Sequence, residues 1–217
     1  MNSVHLNGVH YSGCVPAAEK TPRHSREDIS LTALRILDER GLADLTMRHL
    51  AAELNVTPGA LYWHFPNKQS ILADLANRIL DRAEVMAVSS HSLNWSERTL
   101  AQACALRDAL LSYRDGAEVV ASTLALGLGA ETAHSTLAKA LRGGECDDQT
   151  VDRAASVLVH FILGHVSHEQ QRLQYESLGI VAEHPGDDAL GSSNATEEFL
   201  FGVRLLLDGL RVSHSRT

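Results

Sequence analysis

LTMRHLAAELNVTPGALYWHFPNK, residues 45–68, reads as two short helices of about two turns each, joined by three or four residues. Thr46 is suited to cap the first helix, because its hydroxyl accepts from the unpaired N–H groups of the opening turn. Leu50, Ala51 and Leu54 follow at helical spacing on a face that packs inward. Asn55 tolerates the left-handed conformation that ends such a helix. Thr57 then restarts the chain as an N-cap, with Pro58 at the first helical position, where a missing N–H costs nothing. Leu61 and Phe65 are four apart and face the core, and Pro66 stops the helix. The spacing predicts a helix-turn-helix, whose second helix enters the DNA major groove and presents its N-terminal residues to base edges.

A plain helical hairpin would show the same periodicity, so the particular residues decide. Gly59 and Ala60 leave the leading edge of the second helix bare, which lets a backbone approach a groove. Tyr62, Trp63, His64 and Lys68 sit on or just after it, with hydroxyl, ring and ammonium groups that reach phosphates. On these residues the segment closely resembles the tetracycline-repressor (TetR) family of transcriptional regulators. The resemblance implies that Arg48 reads a guanine, that Lys68 holds a phosphate, and that Thr46, Thr57, Pro58, Gly59 and Ala60 complete the DNA face.

Working outward, 217 residues that are 44% hydrophobic and 21% charged suit one or two globular domains with a sizeable core. No apolar run approaches the ~18 residues of a membrane span, and the start lacks signal-peptide character, so a cytoplasmic protein with no membrane partner is expected. Cys14, Cys104 and Cys146 are widely separated and without metal-ligand spacing, which favours reduced thiols. The formal charge of −8 argues at first against nucleic acid. Residues 1–70 nevertheless hold seven Lys+Arg and seven Asp+Glu, and residues 71–217 hold twelve and twenty. The acidic excess belongs wholly to the second part, and a small basic face on the first remains available to DNA.

Three divisions are expected: an irregular tail over 1–22, a DNA-binding domain over 23–70, and a ligand-binding and dimerisation domain over 71–217. The end of the tail, Lys20 to Arg23, has the character of a minor-groove arm or of a plain solvated tail. A first helix is expected over 25–40, capped by Ser25 and Asp28 and ended by Gly41. Asn67 caps a long helix over 68–88, whose stripe of Ile71, Leu72, Leu75, Ile79 and Leu80 should pack back on the first three helices. Further helices are expected over 94–113, 117–126 and 131–142. A long one follows over 147–175, whose centre, 157–163, is apolar almost all round and should be buried on every side. Residues 177–193 read as a loop and 195–211 as the last helix. No strand pattern or repeat appears, and the fold class is all-α: a three-helix reading head on a helical bundle.

The apolar surface of the last two long helices exceeds what one small bundle needs, and a single helix-turn-helix makes few phosphate contacts. A homodimer on a palindromic double-stranded DNA operator answers both. The family resemblance continues beyond the head, through Trp95, residues 109–117, His160-Phe161 and residues 198–202. It implies an effector pocket lined by Glu84, Gln102, Leu106, Val120, Thr123, Leu124, His165 and His168. Where tetracycline-responsive members hold the drug's magnesium with a histidine, this chain has Val120, which binds no metal. Glu84 replaces a histidine, Leu106 an aromatic and Leu124 an arginine. Gln102 stands at a polar amide position, Thr123 is unchanged, and His168 replaces an acidic residue. A small, mostly hydrophobic effector other than tetracycline–magnesium is therefore expected.

His165, His168 and Glu169 are spaced for a metal site, but hydrogen-bonded histidines lining a pocket or interface are the simpler reading, and no metal or cofactor is expected. No nucleophile-elbow pattern points to an enzyme. The reading is a ligand-responsive repressor. Its rivals are a regulator whose ligand strengthens operator binding, and a helical small-molecule-binding protein without DNA recognition.

Overall fold

The computed structural model describes residues 24–86, 93–129, 131–144, 146–179 and 191–214. Expectations for the tail over 1–22, for Cys14, for residues 87–88 and for most of the 177–193 loop lie outside these residues. Among the described residues the chain forms helices only. They are α1 (Arg26–Arg40), α2 (Met47–Glu53), α3 (Pro58–Tyr62), α4 (Lys68–Met86), α5 (Trp95–Leu111), α6 (Gly116–Ala125), α7 (Glu131–Leu141), α8 (Asp148–Ser177) and α9 (Gly191–His214).

Local signals place the first helices. Ser25 and Asp28 form a reciprocal capping box: Asp28 N–H donates to Ser25 Oγ at 3.1 Å and Ser25 N–H to Asp28 Oδ2 at 2.8 Å. These bonds from Ser25 hold the Asp28 carboxyl below its ordinary range. Gly41, at φ 85, ends α1 in a conformation that glycine adopts without strain. Thr46 caps α2 by accepting from His49 N–H at 3.1 Å. The α2 exit is a Schellman turn: Asn55 sits at φ 53, its N–H bonds Ala52 O, and Val56 N–H bonds Ala51 O. Pro58 opens α3 after Thr57, whose side chain makes no capping bond. α3 is shorter than the expected two turns, five residues ending at Tyr62, although Leu61 and Phe65 are fully buried as expected.

Two packing expectations need correction. α4 does carry the expected buried stripe, but it packs on α1 at one end and mainly on α5, α6 and α7, with little contact to α2 and α3. Ion pairs add to its apolar packing on α1: Arg78 bridges Glu27 and Asp74, while Arg26 and the Ser30 hydroxyl also reach Asp74. α8 is not buried on every side either. Val157 is 51% exposed, and His160, Gly164 and His168 continue the same exposed stripe at helical spacing. The neighbours of α8 within the chain are α5, α6, α7 and α9, so one face stays uncovered. α9 begins earlier and ends later than 195–211, and leaves Phe201 and Leu205 68% and 60% exposed.

The α5–α6 turn is wedged between α8 and the head. Gln170 of α8 donates to Leu110 O at 3.1 Å and Tyr113 O at 2.8 Å, and accepts from Ala117 N–H at 3.2 Å. Asp115, at φ 55, bonds the Gln174 amide with one oxygen and accepts from Leu42 N–H at 2.8 Å with the other. Lys68 Nζ donates to the Leu42 carbonyl at 3.2 Å. Both polar groups of Leu42, in the α1–α2 loop, are thus held by side chains from outside that loop.

Candidate DNA-reading face and effector pocket

Arg48, Thr46, Thr57, Pro58, Gly59 and Ala60 are all exposed, on or between α2 and α3. Tyr62 is 50% exposed and Trp63 is 89% exposed, although Leu61 beside them is 1% exposed. A tryptophan left that open contributes almost nothing to the fold. His64 and Lys68 are half-buried, and one Lys68 donor is spent on Leu42, so its ammonium both ties the loop and faces outward.

Acidic groups near this face are largely occupied. Glu53 takes Arg35 at 2.6 Å, and that hydrogen bond holds its carboxyl below the ordinary range. Glu27 is held low in the same way by Arg78, whose guanidinium is in turn held well above its ordinary range. Arg26, which the sequence reading left aside, supports α3 from behind. Its guanidinium lies 4.2 Å from the Phe65 ring centre and donates to His64 O at 3.4 Å. His24 Nε2 sits 2.8 Å from Leu54 O and braces the α2 exit.

The helix-turn-helix lies within a match to the family of bacterial regulatory proteins named tetR, over residues 29–75. A tetracyclin repressor-like C-terminal domain matches residues 91–185. The class C tetracycline repressor of Escherichia coli is 35% identical over 172 residues, 79% of this chain and 75% of its own length. The chain belongs to the TetR family. Among solved structures, BioQ of Mycobacterium smegmatis is 41% identical with a TM-score of 0.75, covering 86% of this chain and 97% of BioQ. A BioQ structure with its natural double-stranded DNA operator is 40% identical with a TM-score of 0.71, covering 86% and 98%. This TetR-family chain is a transcriptional regulator of the helix-turn-helix type, and its family consists of DNA-binding regulators. Among the described residues no helix is long and apolar enough to cross a membrane.

The expected pocket residues differ in burial. Leu106 on α5 and Val120 on α6 are buried in the hydrophobic core, with Leu124 packed against that core. Thr123 is buried with them and donates to Val119 O at 2.8 Å, which leaves its lone pairs as acceptors. Gln102 is half-buried on α5, and Glu84 is exposed on α4, with the Thr136 hydroxyl 3.5 Å away. His165 and His168 instead line a cleft between α8 and α9 with Glu169, Arg172, Glu176 and Glu198. His165 Nε2 lies 3.0 Å from Ala195 O, and its ring packs beside Phe161 and Phe199. Among the described residues no group of three or more His, Cys, Asp or Glu is placed to hold a metal ion.

Beneath that cleft lies a polar anchor with no local signal in the sequence. Arg107 on α5 is 8% exposed and pairs with both Glu169 oxygens, at 2.7 and 3.2 Å. It also donates to Thr196 at 3.1 Å and lies over the Phe199 ring, so one guanidinium ties α5 to α8 and α9. Cys104, on the same helix, is a free thiol whose pKa burial pushes up, and Cys146 is free as well.

Proposed function

We propose that the protein is a homodimeric, ligand-responsive repressor that binds a palindromic operator and is released by a small, mostly hydrophobic effector. The observation that carries this reading is α4, one uninterrupted helix running from the reading head into the bundle, with Lys68 at one end and Glu84 at the other. An effector touching Glu84, Gln102, Leu106, Val120, Thr123 and Leu124 would bear on the element that sets the spacing of the heads. Residue 70 falls inside that helix, so the division between 23–70 and 71–217 is a joint crossed by a rigid rod.

Support for the dimer comes from the uncovered face. Val157, His160, Gly164 and His168 are exposed along α8, and Phe201 and Leu205 are exposed on α9, which packs against it. Leu158, Leu206 and Leu210 line the groove next to Val157. A second copy of the same surface would bury this apolar area about a two-fold axis. His165 and His168, on the cleft between these helices, are the pocket residues nearest to such a partner.

Leu106, Val120 and Leu124 supply aliphatic surface and Val120 offers no metal ligand, which favours apolar burial at about 25 cal/mol per Å² over magnesium-linked drug binding. The test is to titrate tetracycline with magnesium against a panel of hydrophobic drug-like compounds, reading ligand binding and operator release together. Release by an apolar compound is expected. Tight magnesium-dependent tetracycline binding would overturn the pocket reading, and a compound that tightens the DNA complex would overturn release.

A further inference from the structure

The side chains of residues 58–60, at the leading edge of α3, offer bases no hydrogen bond. Pro58, Gly59 and Ala60 are exposed and carry only C–H surface on their side chains. In the major groove thymine alone carries a methyl group, beside its O4 acceptor. A polar group set against bare C–H surface loses its bond to water and gains none, so this surface favours the thymine methyl over a purely polar edge.

Gly59 sharpens the point. A Cβ added there would meet only Thr57 Oγ1, at 3.8 Å, and the residue is not among those with positive φ. Neither packing nor backbone conformation inside the fold asks for glycine, at a helical position that alanine holds better. Gly116 and Gly202 differ, because a Cβ at either would lie 2.3 Å from Leu110 O or from the Phe161 ring. Two further helical glycines at which an added Cβ would also have room, Gly164 and Gly209, lie on the helices assigned above to the second copy. Gly59 likewise reads as a glycine kept for something outside the chain.

We propose that Gly59, between the Pro58 ring and the Ala60 methyl, forms a notch that seats the 5-methyl group of one thymine in each operator half-site. The proposal rests on the DNA-binding reading above and adds the chemistry by which α3 selects its base. Arg48 supplies the polar, guanine-directed contact from α2, and the notch supplies an apolar, thymine-directed one.

The test uses the full-length dimer. A tight duplex is first enriched from a randomised library. Each of its thymines is then replaced singly by deoxyuridine, which deletes the methyl and keeps every hydrogen-bonding group. Binding is measured for wild type and for Gly59→Ala, whose added methyl has room in the fold and should leave the melting temperature unlowered. At one thymine per half-site, uracil is expected to weaken wild-type binding about fourfold, the worth of one buried methyl-sized group. Gly59→Ala should bind the thymine duplex about tenfold more weakly. At that same position uracil should restore part of its affinity, because removing the methyl makes room for the new Cβ. If uracil is neutral at every position for wild type, or if the two changes multiply independently at every thymine, the notch is overturned while DNA binding stands. If no duplex is enriched, the DNA-binding reading itself fails.

Discussion

Replacing Asp115 by alanine should loosen the head from the bundle. The carboxylate accepts a charge-assisted bond from Leu42 N–H at 2.8 Å and bonds the Gln174 amide with its other oxygen. Such a bond to a charged group contributes about 1.5–3 kcal/mol, and its half-buried setting argues for the lower part of that range. Asp115 already bears part of the left-handed backbone cost at φ 55, which alanine raises by up to about 1 kcal/mol. The predicted loss for Asp115→Ala is therefore roughly 2–3 kcal/mol. Asp115→Gly removes the same bonds without the backbone cost and should recover about 1 kcal/mol of it. Asp115→Asn keeps the shape and a neutral acceptor, and should lose only about 1 kcal/mol. Urea unfolding of the dimer followed by circular dichroism measures all three, and operator binding on the same samples shows whether the head has lost its orientation. An Asp115→Ala protein within about 0.5 kcal/mol of wild type, with unchanged operator affinity, would refute the joint.

Other consequences follow from the same geometry. Phe201→Glu, at a side chain 68% exposed in the single chain, should give a helical monomer by light scattering, because a dimer would have to bury an unpaired carboxylate; an intact dimer would place the interface elsewhere. Asp74 is pushed up by burial, but hydrogen bonds from Arg78, Ser30 and Arg26 outweigh that and hold it below the ordinary 3.8. A depressed carboxylate contributes stability that is present above its unfolded value and is lost as pH falls through the lower folded one. Asp74→Asn should therefore be about 1–3 kcal/mol less stable at neutral pH and show a flatter acid limb below about pH 4, in melts across pH. Arg48→Ala should relax discrimination at one base pair, whereas Lys68→Ala should weaken all duplexes alike and also lower stability through the lost bond to Leu42 O.

The head was legible because its signals are local. Ser25 with Asp28, Thr46, Asn55 and Pro58 each act within about four residues, and each acts as read, except that the Thr57 hydroxyl makes no cap. What the sequence hid is long-range. The Asp115–Leu42 bond spans 73 residues and the Arg107–Glu169 pair spans 62, and no periodicity reports which polar side chain meets which. The α8 centre misled for a related reason. An apolar stripe looks the same whether its own chain or a second copy covers it, so Val157 read as core and is half exposed. The pocket residues came from resemblance, which assigns positions without saying how closely they pack. Leu106 and Val120 are buried in the core, and His165 lines a cleft beside α9.

A dimeric reading head on a palindrome can be seen in an anisotropy titration of an enriched palindromic duplex over a series of salt concentrations. Two chains per duplex, strong preference over a scrambled duplex, and affinity falling with salt on a log–log slope of about −5 or steeper, as neutralising ~6 phosphates requires, are expected. Salt-independent binding, or equal affinity for the scrambled duplex, would contradict it.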